Sequence, residues 1–238
     1  MKDQYVGDIN DYVKYSVLRA LGDVHTRSVL VCWMLTADDD RTDGGRTFYL
    51  HDPGRYRDVD PELFDLLQRL VSRRDRSTRA VERLGTLPGA SFFRRRLADS
   101  RRERDEFLAD LWREASPHRV VFLDPDNGLS VRSVPRGAPG SRRYVYCSEL
   151  APLRDLDAAA VIYQHFPRVG RAEYVAQQLD RLGNALPEFS TLAIYSAHVA
   201  LLGAVPRDQV RRFEAGLHLA RARWGGRLNV TATRPPAA

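Results

Sequence analysis

Cysteine is nearly missing from this chain: Cys32 and Cys147 are the only two, each inside an apolar stretch. They build neither a disulfide scaffold nor a cysteine-rich zinc site, and such a chain suits a reducing cytoplasm, its expected location. Lysine is as scarce, since of 37 basic residues only Lys2 and Lys14 are lysine and the rest are arginine. No apolar run approaches the ~18 residues of a membrane span, and Met1-Lys2-Asp3-Gln4 does not open a secretory signal, so no membrane association is expected. What remains is a globular balance over 238 residues, 43% apolar and 29% charged, which excludes a disordered chain. With no linker-like stretch and no internal repeat, residues 1–233 read as a single domain and 234–238 as a frayed tail.

The net charge of +6 is unevenly spread. From Arg69 to Arg104 twelve arginines face only Asp75, Glu82, Asp99 and Glu103, an excess of eight positive charges that leaves the rest of the chain at −2. Guanidinium forks match phosphate oxygens, so this segment is either a solvated helical face or a nucleic-acid footprint. The acidic run Asp38-Asp39-Asp40, followed by Asp43-Gly44-Gly45, reads as a loop; as a metal loop it lacks the spacing of an EF-hand.

Ile9, Tyr12, Val13, Ser16, Val17, Ala20 and Leu21 recur at helical spacing, which predicts an opening helix with one buried stripe, capped by Asp8 and stopped at Gly22. Asp11 and Lys14 fall about 60° apart, away from that stripe, where a surface ion pair is the plain expectation. A site needing a compact ammonium would nevertheless keep a lysine in a chain that otherwise uses arginine. Strands are expected at Ser28–Thr36, Thr47–His51, Val120–Leu123, Ala159–Tyr163, Ser190–Tyr195 and Arg227–Thr233. Helices are expected after Asp60-Pro61, twice between Arg76 and Glu114 with a break at Leu87-Pro88-Gly89, at 171–183, and from about Pro206 to Arg223. Apolar strands alternating with amphipathic helices predict an α/β fold: a three-layer, mostly parallel Rossmann-like sheet with helices on both faces.

Open parallel sheets bind ligands beyond the carboxyl ends of their strands. Four expected strands end in polar chemistry: His51-Asp52-Pro53-Gly54, Asp124-Pro125-Asp126-Asn127-Gly128, Gln164-His165-Phe166-Pro167-Arg168 and Ser196-Ala197-His198. If these tips are neighbours, Asp52, Asp124, Asp126, His165, Arg168 and His198 share one crevice. Glu149 is a further candidate, or a helix N-terminal residue, and Tyr163 reads as core.

Gly7-Asp8-Ile9-Asn10-Asp11-Tyr12-Val13-Lys14-Tyr15 resembles the opening of the 23S rRNA adenine-N6 methyltransferase family, Gly-Asn-x-x-Asp-x-x-Lys-His. Asp124-Pro125-Asp126-Asn127 stands where amino-methyltransferases of the class I fold carry Asp-Pro-Pro-Tyr. The order of elements is similar, including an antiparallel strand at the end. This resemblance implies S-adenosylmethionine (AdoMet) held near Asp8, Asp11, Lys14, Asp52 and Gly54, and a target base near Asp124. Asp126, Asn127, His165 and Arg168 complete the candidate catalytic set. In place of a glycine-rich first turn, Asp52-Pro53-Gly54 offers one glycine, and Asp126 and Asn127 replace the proline and aromatic.

Three functions stay open: an AdoMet-dependent methyltransferase-like enzyme acting on nucleic acid, with Arg69–Arg104 on the phosphates; a metal-dependent phosphodiester hydrolase with Mg²⁺ or Mn²⁺ on Asp52, Asp124, Asp126 and Glu149; or a non-catalytic nucleic-acid-binding protein on the same fold.

Overall fold

In the computed structural model, which describes residues 1–26, 28–36 and 44–233, the chain forms an α/β fold of the Rossmann-like three-layer type. In chain order the elements are α1 (Ile9–Val24), β1 (Val29–Cys32), α2 (Pro53–Tyr56), α3 (Pro61–Ser72), α4 (Thr78–Arg83), β2 (Ser91–Phe93), α5 (Arg101–Ala115), β3 (Val120–Leu123), β4 (Gly128–Leu129), β5 (Tyr144–Val145), β6 (Ala159–His165), α6 (Arg171–Ala185), β7 (Phe189–Tyr195), β8 (Val199–Pro206), α7 (Val210–Arg223) and β9 (Asn229–Thr233). The main sheet has the order β2-β1-β3-β6-β8-β7-β9, and β4 and β5 form a small second sheet. Strands β2, β1, β3 and β6 run parallel, β8 is antiparallel to both β6 and β7, and β9 is antiparallel to β7.

Alternation along the strands divides the core in two. Val29 and Val31, Val120 and Phe122, and Ala159 and Val161 pack with α1, α3 and α7. Leu30 and Cys32, Val121 and Leu123, and Ala160 and Ile162 pack with α5 and α6. Two covered faces explain why these strands read as unbroken apolar runs. Among the described residues no helix is long and apolar enough to cross a membrane.

Several elements depart from the sequence expectation. Thr47–His51 is not a strand: Phe48–His51 form a 3₁₀ turn in which adjacent Tyr49 and Leu50 are buried while Phe48 and His51 are exposed. Tyr49 stacks on Tyr12 at 5.1 Å, and this aromatic contact, rather than a sheet ladder, holds the segment. The arginine-rich stretch contains an edge strand, β2, between α4 and α5. The apolar run Val199–Val205 is the antiparallel strand β8, which delays the following helix to Val210. Helix α1 passes Gly22 and ends at Val24, because Leu21 and Val24 close against Gly216 of α7. The Asp38–Asp40 run, Asp43 and the tail 234–238 lie outside the described residues.

Candidate functional site

The α1-facing alternation of β1, β3 and β6 continues past their carboxyl ends as Trp33, Asp124, and Tyr163 with His165. Helix α1 enters above these tips. Its cap is Asp8, whose Oδ1 accepts the Asn10 N–H at 2.9 Å and whose Oδ2 accepts the Arg46 N–H at 3.1 Å. Gly7 just before it has φ +86°, and an added Cβ would stand 2.6 Å from a Val71 methyl. That turn aims the Gly7 N–H at Asp11 Oδ2, 3.2 Å away.

Lys14 is therefore not on the surface. Its ammonium lies 2.7 Å from Asp11 Oδ1 and 2.7 Å from Asp124 Oδ2, and all three side chains are at most 4% exposed. The rings of Tyr15, Tyr163 and Trp33 surround the same ammonium at 5.2, 5.4 and 5.8 Å. Tyr15 also donates its hydroxyl hydrogen to Asp11 Oδ2. Burial alone would lower the lysine pKa, but Asp11 and Asp124 override it and the result is raised. For Asp11 burial prevails over the pull of Lys14, and with Asp124 adding repulsion the pKa rises to about 6.

The sign of the linkage follows. Between pH 3.8 and 6 folded Asp11 holds a proton that the unfolded chain releases, so its contribution to stability is complete below 3.8 and is lost as pH rises through 6. Urea titrations of wild type and Asp11→Asn are expected to show wild type gaining on the variant as pH falls from 7 to 4; a constant difference would contradict the buried titration.

The tip of β3 continues as Asp124-Pro125-Asp126-Asn127. The Met1 amino group sits 2.8 Å from Asp126 Oδ1 and donates to the Asp124 carbonyl at 2.9 Å. The Thr36 hydroxyl donates to Asp126 Oδ2 at 2.9 Å. Burial favours protonation of Asp126, but the Met1 amino group and Thr36 outweigh it and hold the carboxyl below its usual range. The Asn127 carbonyl accepts from the His165 N–H at 3.1 Å and from Gln164 Nε2 at 3.0 Å, which ties this loop to the tip of β6. Between these tips, α1 and the 44–46 segment is a cavity of about 640 Å³, within the ordinary range for a small-molecule site.

Compared with protein-family models, with curated proteins and with solved structures, the chain matches none.

Of the sequence candidates, Asp8, Asp11, Lys14, Asp124, Asp126, Asn127 and His165 line this one cavity. Asp52 and Gly54 do not: both are exposed on the turn into α2, because the strand expected to carry them there does not exist. Arg168 is exposed on the loop after β6, and His198 is exposed on the β7–β8 turn; neither lines the cavity. Glu149 is elsewhere, locked to Arg104 with Nη2 to Oε2 at 2.8 Å and to Arg136 with Nε to Oε1 at 2.7 Å. The quartet Asp52, Asp124, Asp126 and Glu149 is thus scattered, and among the described residues no group of three or more His, Cys, Asp or Glu is placed to hold a metal. The ammonium of Lys14, moreover, stands between Asp11 and Asp124, where a cation shared by these carboxylates would sit.

Sequence reasoning passed over Tyr163 and Arg46, which also line the cavity. Tyr163 shares its strand face with His165, so alternation could have found it. Arg46 is placed by its backbone, its N–H on Asp8 and its carbonyl accepting from Ile9 at 3.0 Å, and no local pattern announces that.

Proposed function

We propose that this chain is an AdoMet-dependent methyltransferase-like enzyme acting on an amino group of nucleic acid. The observation that carries the reading is the convergence of the opening-helix pair Asp11 and Lys14 with Asp124 at the carboxyl rim of the sheet. These are the positions through which the chain resembles the amino-methyltransferases. The antiparallel strand β8, lying between β6 and β7 near the end of the chain, also agrees with the element order that the resemblance implies.

Whether the residues suit AdoMet is tested by Met1. Its amino group, held by Asp126 Oδ1 and the Asp124 and Met34 carbonyls, stands in for an amino-acid ammonium, and its thioether lies 3.8 Å from Lys14 Nζ. The acceptor set between the tips of β1 and β3 accommodates a methionyl group, so the residues fit. Asp126 and the two carbonyls would hold the ammonium, with Asp8 and Asn10 available for the remainder. The bound group would supply an electrophilic methyl carbon.

The chain's own part is to orient the nucleophile. Asp124 and Asn127 offer oxygens that can accept the N–H hydrogens of a target amine, directing its nitrogen without a metal. Lys14 and Asp11 fix the Asp124 carboxylate in one orientation. In the arginine-rich segment, Arg76 and Arg104 are spent on the fold: Arg76 donates to the Val6 carbonyl and to Gly44, and Arg104 is buried. Arg73, Arg74, Arg79 and Arg96 are exposed and available to phosphates.

Calorimetry with AdoMet in the presence of a chelator is expected to show binding, and Asp126→Asn to weaken it by about tenfold through loss of a charge-assisted hydrogen bond. Labelled methyl transfer to RNA or DNA should then vanish in Asp124→Ala that still melts cooperatively. No heat and no thermal shift with AdoMet would end the reading, and chelator-sensitive strand cutting would replace it with the hydrolase.

A further inference from the structure

The floor of the cavity is acidic, with Asp8, Asp11, Asp124 and Asp126, whereas its outer edge on the β6 side has the opposite sign. His165 at the tip of β6 lines the cavity and is paired in the sheet register with Val199, which places His198 on the next residue of the adjoining β7–β8 turn. That turn is fastened to the loop after β6 by Arg171, whose Nε donates to the Ala197 carbonyl at 2.9 Å and whose Nη1 donates to the Pro167 and Val169 carbonyls at 2.9 and 2.8 Å. The Arg171 guanidinium lies 4.9 Å over the Phe166 ring, so its charge is held in place. Arg168 is exposed on the same loop. Across the opening Arg46 lines the cavity, its side chain 43% exposed and its Nε 3.5 Å from Asp8 Oδ2. Arg46 and Arg171 both act electrostatically on His198. The segments 164–171 and 196–200 contain no carboxylate.

An acidic floor suits hydrogen-bond donors, and a basic rim suits an anion joined to them at a short distance. We infer that the site takes its substrate as a nucleotide and not as a free nucleoside, with the phosphate received at the rim by Arg46, His198 and Arg168 while the base amine turns to Asp124 and Asn127. This rests on the proposed function and specifies its substrate class. It also gives Arg168 and His198 a positioning role in place of a catalytic one. The anion at Arg46 has a second source, the carboxylate of AdoMet itself, and the experiment separates the two.

Affinities would be measured by calorimetry at low salt for adenosine against 5′-AMP and cytidine against 5′-CMP, with AdoMet titrated separately. Each nucleotide is expected to bind at least about tenfold more tightly than its nucleoside, an advantage that shrinks as salt is raised. Arg46→Gln and His198→Asn should each reduce that ratio to less than about threefold, while Asp124→Asn keeps it; a ratio within one variant does not depend on how much of the sample is folded. Equal affinities for nucleotide and nucleoside, or no binding of either, would overturn the inference. So would a ratio unchanged in Arg46→Gln alongside weakened AdoMet binding, which would assign the rim to the cofactor's carboxylate. AdoMet binding by wild type, read in the same series, reports on the proposed function independently.

Discussion

Lys14→Met is expected to cost about 3–5 kcal/mol of unfolding free energy at pH 7.5, because it leaves two carboxylates facing each other without a counter-ion in a buried site. Asp11 and Asp124 each lie 2.7 Å from the lysine nitrogen, and neither side chain is more than 4% exposed. Part of the loss should return in Lys14→Met with Asp11→Asn, since the second change removes one of the two stranded charges; the double-mutant cycle in urea measures the coupling. The penalty should also be smaller at pH 5 than at pH 7.5. Asp11 in wild type already titrates at about 6, and removal of the ammonium that opposes its protonation moves that value upward. Lys14→Arg should not rescue, because a planar fork cannot replace a compact ammonium seated among Tyr15, Tyr163 and Trp33. A loss below about 1 kcal/mol would mean that the pair behaves as an exposed salt bridge, and the description of the site would fall with it.

Arg104→Ala should be comparably severe, about 3–5 kcal/mol, yet silent at the site. Arg104 is completely buried and binds Glu149 through two nitrogens, while Nη1 and Nη2 also donate to the Ser141 carbonyl at 3.2 Å and the Tyr144 carbonyl at 2.6 Å. Its guanidinium lies 5.0 Å from the Tyr146 ring centre. This one side chain joins α5 to the segment between β4 and the 3₁₀ turn that begins at Cys147. Without it Glu149 keeps only Arg136 as a cationic partner, and Arg136 is 26% exposed, so compensation is partial. Glu149→Gln should cost less than Arg104→Ala, and AdoMet affinity should be unchanged in a stable Arg104 variant at low temperature, because neither residue lines the cavity. A chelator-dependent melting temperature in wild type would instead restore Glu149 as a metal ligand.

The fold was legible where a pattern is local. The alternation of apolar strands and amphipathic helices announced the layered sheet, and Asp124-Pro125-Asp126-Asn127 after Val120–Leu123 marked the rim because so polar a run cannot continue a strand buried on both faces. Val199–Val205 escaped because a short apolar run has no period that separates strand from helix, and only pairing with β6 and β7 decides it. Thr47–His51 misled for the complementary reason: β-prone residues there answer to a stack of Tyr49 on Tyr12, not to a ladder.

The sequence by itself determined the class of fold, the cap at Asp8, and the spacing that puts Asp11 and Lys14 on one side of α1. The tertiary structure alone decided that this side faces inward onto Asp124, 110 residues further along, while Glu149 pairs with Arg104 and Asp52 is left in solvent. The reason is physical. Helical and strand periods state which residues share a face, but what covers that face depends on how the sheet edges and loops close over it, and burial then turns an ordinary surface pair into a charged centre.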